Sequence, residues 1–406
     1  MDRIIFVTEP LLSSAFVQMR FVLPLAHELR QEFQVAVAAP RLSPEVQGLL
    51  RGSQILPLDG GAFFPSPRHP EDEAPSYVLS WLRDSLLGLN ARALARRREF
   101  RGALTVNLSM TTSLPSDVWY VQGRPLGPTL KAIGPSMANP LRSLVRITGP
   151  ALGLVDNRYF ARRFQRSRHI VTHGYHLARW FQERGVPVEA VLHSYLHPFT
   201  FEPTTANPSR DYALVYLGKE TDMGAVRQLA ASGVPLKAFG AKSSGWVTGP
   251  VGIPRSSRVE VLGRVSHEEL RELYTHARVT AFPFTEEPFG LVPVESMACG
   301  TPVVTYGRQG PSETVEDGRT GWLVEDARAL VATVQRIFRE GYPADVPRWC
   351  RERAREFRLE SAAQRWRGFL RACLDGTPLP QEVAYPYRSS LLHGITPRWE
   401  APAPMR

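Results

Sequence analysis

The chain has 406 residues, 43% hydrophobic and 22% charged, which is too long for one ordinary core and sufficient for about two domains. That composition excludes a disordered chain, a collagen-like repeat and a small disulfide scaffold. The net charge of +10, from 49 basic against 39 acidic residues, points toward phosphates, nucleic acid or an anionic membrane unless it is evenly spread. In chain order, Ile4 to Val7 predicts a strand and Glu9 to Ser14 a loop. Val17 to Leu29 predicts a helix with Phe21, Leu25 and Leu29 on one face, and Val35 to Ala39 a second strand. Such short connections favour a parallel sheet with right-handed crossovers, hence an α/β architecture. From 60 to 170 the pattern is mixed, with a proline-rich loop from Phe63 to Pro75, a basic amphipathic stretch from Trp81 to Arg101 and a strand near Leu104 to Leu108. His169 to His173 reads as a strand and Tyr175 to Glu183 as a helix that stops at Gly185. Turn formers from Pro198 to Arg210 mark a boundary, giving an N-terminal domain over 1–200, a second over 201–374 and a proline-rich tail over 375–406.

The second half has clearer periodicity. Strands are expected at Ala213 to Leu217, Leu236 to Phe239, Val259 to Leu262, Val279 to Phe284 and Pro302 to Thr305. Between them fall helices at Met223 to Ser232, His267 to His276 and Val292 to Cys299, and further helices follow at Ala327 to Glu340 and Val346 to Leu374. Ser266 is placed as the N-cap of the helix at 267, with Glu268 and Glu269 in its first turn where the dipole favours them. Cys299, Cys350 and Cys373 have no metal-ligand spacing, so a reducing, cytoplasmic setting is expected. No run of about 18 apolar residues suggests a membrane span.

The stretch from Phe282 to Thr305 carries the most chemistry. It reads as a strand, a loop holding Glu287, a helix starting near Gly290 with Pro293 in its first turn, and a stop at Gly300. Backbone N–H groups of Phe289, Gly290 and Leu291 at that helix start suit a diphosphate, and Gly290 allows close approach. Glu295, about a turn further on, is suited to the two vicinal hydroxyls of a ribose. Glu287 faces whatever the diphosphate carries. Together they describe a nucleotide diphosphate bearing a polyhydroxylated group, at the carboxyl ends of parallel strands.

This string, Glu287-Pro-Phe-Gly-Leu-Val-Pro-Val-Glu295-Ser-Met-Ala-Cys-Gly-Thr-Pro-Val-Val304, resembles the signature of the family 4 (group 1) glycosyltransferases. The stretches Gly310-Pro-Ser-Glu313, Asp317-Gly-Arg-Thr-Gly-Trp-Leu-Val324 and Leu262-Gly-Arg-Val-Ser-His-Glu-Glu-Leu-Arg271 are similar to that family as well. The similarity is strong over 210–330 and weak in the N-terminal half. It implies the GT-B fold, two Rossmann-like domains facing a cleft, and a retaining transfer of sugar from a nucleotide-sugar without a metal or other cofactor. The resemblance places Glu287 on the donor sugar, the amides of Gly290 and Leu291 on the diphosphate and Glu295 on the ribose. UDP-, GDP- and ADP-sugars remain open as donors. The sequence contains no Asp-x-Asp, the usual metal clamp of the other main glycosyltransferase architecture.

Two features depart from the family pattern. A phosphate-binding Gly-Arg after the first strand of the second domain is here Gly218-Lys219, and the Lys six residues later is Ala225. Lys219 is the candidate cation for the leaving diphosphate, one of only four lysines, with a solvated loop lysine as its other reading. Arg227 is the candidate replacement for the missing Lys. In the N-terminal half the family's Gly-Gly loop is replaced by Pro10 to Ala15, where Ser14 can offer an amide. Arg20, Tyr120 and Gln122 are candidates for acceptor or phosphate contact, and His173 reads as a structural histidine.

The charge is uneven: residues 91–170 hold 14 basic and 3 acidic side chains, +11, leaving −1 for the rest. Apolar residues including Trp81, Leu86, Phe160 and Phe164 interleave with these arginines, as on a helix resting on anionic lipid. This suggests a glycan or lipid-linked acceptor, phosphorylated or presented at an anionic membrane surface through 81–168, with the protein peripheral on the inner face. The other reading is a solvated arginine face. No nucleic-acid motif accompanies the band, so no nucleic-acid partner is expected. A sugar-nucleotide epimerase or a phosphorylase of the same fold stays open as an alternative, as does a basic nucleic-acid-binding protein using the arginine band.

Overall fold

Strands that are apolar on both faces are satisfied only when helices cover a parallel sheet from both sides. The computed structural model places two such sheets in the chain, describing residues 1–8, 17–39, 54–57, 100–110, 115–125, 139–196, 201–218, 220–240, 253 and 256–385. The loop predicted at Phe63 to Pro75, and the basic stretch from Trp81 as far as Glu99, lie outside the described residues. The chain divides into two compact units, one of Met1–Pro128, Pro150–His193 and Ala362–Arg406, the other of Thr129–Gly149 and Ser194–Ser361.

In the first unit, β1 (Arg3–Val7), β2 (Gln34–Ala39), β3 (Gln54–Pro57), β4 (Ala103–Asn107), β5 (Val118–Val121), β6 (His169–Thr172) and β7 (Ala190–Val191) form one sheet. Its order is β3-β2-β1-β4-β5-β6-β7, every ladder parallel, with Ile4 opposite Val35 on one side and Leu104 on the other. Helices α1 (Val17–Leu29), α2 (Asn139–Phe164) and α3 (Tyr175–Gln182) accompany it, α2 from Pro150 onward, its residues up to Gly149 being grouped with the other unit. On one face Trp119, Phe160, Phe164, Leu177 and Phe181 pack together. Phe160 and Phe164, expected among the lipid-facing residues of the basic band, are therefore core residues.

In the second unit the sheet is β10-β9-β8-β11-β12-β13, again all parallel, from β8 (Tyr212–Tyr216), β9 (Leu236–Phe239), β10 (Val259–Gly263), β11 (Ala277–Phe282), β12 (Val303–Tyr306) and β13 (Gly321–Val324). Its helices are α4 (Met223–Ala231), α5 (His267–His276), α6 (Leu291–Ala298), α7 (Pro311–Thr314), α8 (Ala327–Glu340) and α9 (Val346–Arg355). Alternate strand residues feed opposite faces. Tyr212, Leu214 and Phe282 enter the cluster with Tyr274, Val294 and Cys350, whereas Ala213, Val215 and Ala281 enter that with Val226, Leu330 and Val334. The α5 terminus forms as its sequence predicts: Ser266 Oγ accepts from Glu269 N at 3.1 Å, and Glu269 Oε2 accepts from Ser266 N at 2.7 Å.

The single helix expected over Val346 to Leu374 is two. α9 ends at Arg355, and buried Phe357 turns in to meet the Phe289 ring edge-on at 5.7 Å before α10 (Leu359–Asp375) begins. From Ala362 onward α10 belongs to the first unit, where composition alone assigns it to the second domain. Its face of Trp366, Phe369 and Leu370 is fully buried, with Trp366 5.2 Å from Tyr120 and 6.0 Å from Phe6. Burying a ring system of that size contributes about 3 kcal/mol. The start of the expected tail is also structured: Val191 N donates to Val383 O at 2.8 Å, and Tyr385 N to Glu189 O at 2.7 Å. Residues 386–406 lie outside the described residues.

Candidate functional site

Numbered from β8, the second sheet runs 3-2-1-4-5-6, so the strand order reverses between β8 and β11. At such a switch point the loops leave in opposite directions and open a crevice beyond the carboxyl ends of the strands. The loops there are 217–222, after β8, and 283–290, after β11. They are stitched together. Asp222 N donates to Pro283 O at 2.7 Å, Thr285 N to Glu220 O at 3.2 Å, and Thr221 pairs with Phe284 in an antiparallel bridge. Gly218 lies against the stacked rings of Tyr216 and Phe284, where a Cβ would come within 2.8 and 2.9 Å of ring carbons. Lys219 itself is outside the described residues, but Gly218 and Glu220 on either side of it are anchored, Gly218 N donating to Thr221 Oγ1 at 2.7 Å. Two stretches that the sequence offers as separate phosphate candidates thus share one crevice.

Glu287 departs from expectation in an informative way. Its Oε1 accepts hydrogen bonds from Phe289 N at 3.2 Å and Gly290 N at 3.0 Å, two of the amides expected to hold a diphosphate. The cause is the one that suits those amides to phosphate, since unpaired N–H groups and the positive dipole end of α6 attract the nearest anion. Gly290 ends this turn in a left-handed conformation, φ 95°, which favours glycine. The loop is clamped from β12's side by Gln309, a buried residue absent from the sequence reading. Gln309 Oε1 accepts from Glu287 N at 3.0 Å, its Nε2 donates to Phe284 O, and Gly310 N donates to Glu287 O at 3.0 Å. Its position just before the Gly310-Pro311 turn was the available signal.

Glu295 is half-buried on α6, and its Oε2 accepts from the hydroxyl of fully buried Tyr274 at 3.1 Å. Burial, and then the Glu295 charge, hold the Tyr274 phenol well above its usual range. The same two causes push the Cys299 thiol, one turn along α6, up to about 12. The start of α4 is capped by Asp222, whose Oδ1 accepts from Gly224 N at 2.9 Å and Ala225 N at 3.1 Å while Oδ2 accepts from Tyr306 Oη at 2.9 Å. Ala225, in the position of the family's Lys, is fully buried, and Arg227 is exposed on the outer face of α4. The described contacts do not bring Arg227 to the Glu287 loop.

In the first unit Tyr120 does not fit an acceptor contact. It is fully buried, its hydroxyl donates to Leu192 O at 2.8 Å and its ring stacks on Phe21 at 5.4 Å, because β5 is covered on both faces. Gln122, at the carboxyl end of β5, is half-buried with Nε2 donating to Leu108 O at 3.4 Å. Arg20 lies on α1 with its side chain outside the described residues, as is all of Ser14. His173 is buried with Nδ1 3.4 Å from Val121 O, a structural setting. Arg163, counted in the basic band, is only 5% exposed, donates to Ser109 O at 2.6 Å and Met110 O at 2.9 Å, and lies over the Trp119 ring.

Residues 255–357 match the model of glycosyl transferases group 1. A D-inositol 3-phosphate glycosyltransferase of Mycobacterium tuberculosis (strain ATCC 25618 / H37Rv) is 40% identical over 99 residues, 23% of this chain and 21% of that protein. The chain thus matches about a fifth of the length of such curated relatives. Sucrose-phosphate synthase from Thermosynechococcus elongatus shares the fold with a TM-score of 0.63 and 17% identity, over 92% of this chain and all of the other. Anabaena HepE in complex with UDP does so with a TM-score of 0.61 and 15% identity, over 91% of this chain and all of the other. The group 1 segment contains the whole of Glu287 to Glu295, Gln309 and Tyr274, and the fold is of the GT-B class.

Proposed function

We propose that this protein is a retaining, metal-independent glycosyltransferase that moves a sugar from a nucleotide-diphosphate sugar to a glycan or lipid-linked acceptor. The observation that carries the reading is the stitching of residues 220–222, after β8, to residues 283–285, which lead into the Glu287–Gly290 turn at the switch point, with Glu295 on the helix that follows. In this reading Glu295 holds the ribose and Glu287 the hydroxyls of the donor sugar. The amides of Phe289, Gly290 and Leu291 take the diphosphate. Lys219 offsets the charge that grows on the diphosphate as its bond to the anomeric carbon breaks. Arg20 and Gln122 are left to the acceptor. That HepE was solved with UDP supports a nucleotide in the crevice. The test is a thermal-shift panel of UDP-, GDP- and ADP-sugars. A donor at a hundred times its Kd raises stability by about 2.7 kcal/mol, and no shift with any of them overturns the reading. Nucleoside diphosphate released only when acceptor is added separates transfer from an epimerase or phosphorylase.

A specific surface favours an acceptor presented at a membrane. On α2, Ile147 and Leu154 are 76% and 64% exposed, seven residues apart on one face, with exposed Pro150 and Ala151 between them and exposed Arg146 alongside. This helix lies within the basic band at 81–168. Among the described residues no helix is long and apolar enough to cross a membrane, so contact of this kind is peripheral. Sedimentation with vesicles containing anionic phospholipid is expected to carry the protein down, and Ile147→Asp with Leu154→Asp to release it. Equal binding to neutral vesicles, or none, removes the membrane acceptor.

A further inference from the structure

A carboxylate can hold two vicinal hydroxyls only if its plane is fixed, since a rotating group presents both oxygens in register for a fraction of the time. Glu295 lies on a helix face where an unrestrained glutamate would populate several rotamers. Its neighbour removes that freedom. The Tyr274 hydroxyl donates to Glu295 Oε2 at 3.1 Å, and Tyr274 has no rotational slack of its own. Its ring is fully buried, edge-on to Phe201 at 6.0 Å and to Phe239 at 5.9 Å, and its carbonyl accepts from Thr301 Oγ1 at 2.6 Å. A phenol buried to this degree has no water to turn to, so losing Glu295 would leave its hydroxyl unsatisfied. The bond to the carboxylate is therefore built in rather than incidental.

We propose that Tyr274 is the positioning residue of the nucleotide site: through its hydrogen bond to Oε2 it fixes the Glu295 carboxylate for the 2′- and 3′-hydroxyls of a ribose, and so selects ribonucleotides over 2′-deoxyribonucleotides. Tyr274 touches no ligand itself. The inference rests on the nucleotide-sugar reading, because without a ribose the fixed carboxylate has nothing to select.

The variant is Tyr274→Phe, which keeps the ring and its packing and removes only the hydroxyl. Binding is measured by calorimetry with UDP, GDP and ADP, each against its 2′-deoxy form, and melting of the ligand-free protein is recorded alongside. The native protein is expected to prefer the ribo form of one of the three by about tenfold or more. In Tyr274→Phe that preference is expected to fall to about threefold or less, mostly by weaker binding of the ribo form while the deoxy form changes little, with KM for the donor rising more than kcat falls. A purely structural tyrosine would lower melting and weaken both forms alike, and that result overturns the proposal. So does a preference that survives unchanged in Tyr274→Phe. A native protein that binds none of the three nucleotides overturns the nucleotide reading and this inference with it, whereas binding without ribose preference overturns this inference alone.

Discussion

Replacement of Glu287 by alanine is expected to lower kcat by at least about a hundredfold while leaving the affinity for free nucleoside diphosphate equal or tighter, because the same carboxylate holds two roles that oppose one another. In the structure its Oε1 holds the Phe289 and Gly290 amides at 3.2 and 3.0 Å, the amides that the proposed reading gives to the diphosphate. Donor binding must then release the carboxylate from the helix start, and the released group is free to meet the hydroxyls of the sugar. Alanine removes the competitor and the sugar contact together. A charge-assisted hydrogen bond contributes about 1.5–3 kcal/mol, so the tightening of UDP, GDP or ADP binding can reach about tenfold. Loss of these two hydrogen bonds costs about 1 kcal/mol of stability without ligand. Glu287→Gln, which accepts the same hydrogen bonds without the charge, is expected to fall between the two in affinity and near alanine in turnover. Turnover within a few fold of native in Glu287→Ala would remove Glu287 from the reaction, and a large loss of diphosphate affinity would show that the carboxylate supports the phosphate contacts instead of competing for them.

How far the sequence was legible follows from how local each feature is. The five strands expected in the second unit, the Ser266 cap and the turn at Gly290 depend on neighbours within a few residues, and each is found in the structure where the residues predict it, whereas the short α7 and β13 were not foreseen. Gln309 and Tyr274 act on residues 22 and 21 positions away, and no spacing rule links a glutamine after β12 to an amide after β11. Tyr120 entered the reading only as an alternative, with Gln122, for a histidine that the resemblance expects near the donor sugar. Its burial comes from α1 and α10, and α10 returns from more than 230 positions downstream. The break at Phe357 was invisible for a related reason: a gap of three residues leaves the composition helical, and the partner that draws the ring inward, Phe289, is in another element. Charge counting likewise cannot separate Arg163, hydrogen-bonded to two carbonyls in the core, from Arg146 on the surface.

The second large effect is expected at Gly310, where one methyl group tests whether the clamp on the Glu287 loop is part of the site. Its backbone is in an ordinary right-handed conformation, φ −47°, so alanine meets no dihedral penalty. The obstacle is proximity: a Cβ there would lie 2.3 Å from Phe289 N and from the carbonyl of Pro288, closer than van der Waals contact allows and with rigid backbone on the other side. Relief requires the 287–290 segment to move away from 309–310, which breaks the Gly310 N to Glu287 O bond and turns the Phe289 amide from its place. Overpacking of this kind costs about 1–3 kcal/mol, a fall of several degrees in Tm for a chain of this size. Donor affinity is expected to drop more than tenfold as well, since amide donors displaced by about 1 Å no longer converge on one anion. Gly321→Ala supplies the control. Its Cβ would lie 2.1 Å from Val303 O, an equal or greater strain, but between β12 and β13 and away from the crevice loops. Gly321→Ala is expected to lower Tm with the affinity of the surviving folded protein unchanged. Equal losses of donor binding in both variants would mean that Gly310 matters only for folding, and native affinity in Gly310→Ala would mean that the amides of this loop do not hold the diphosphate.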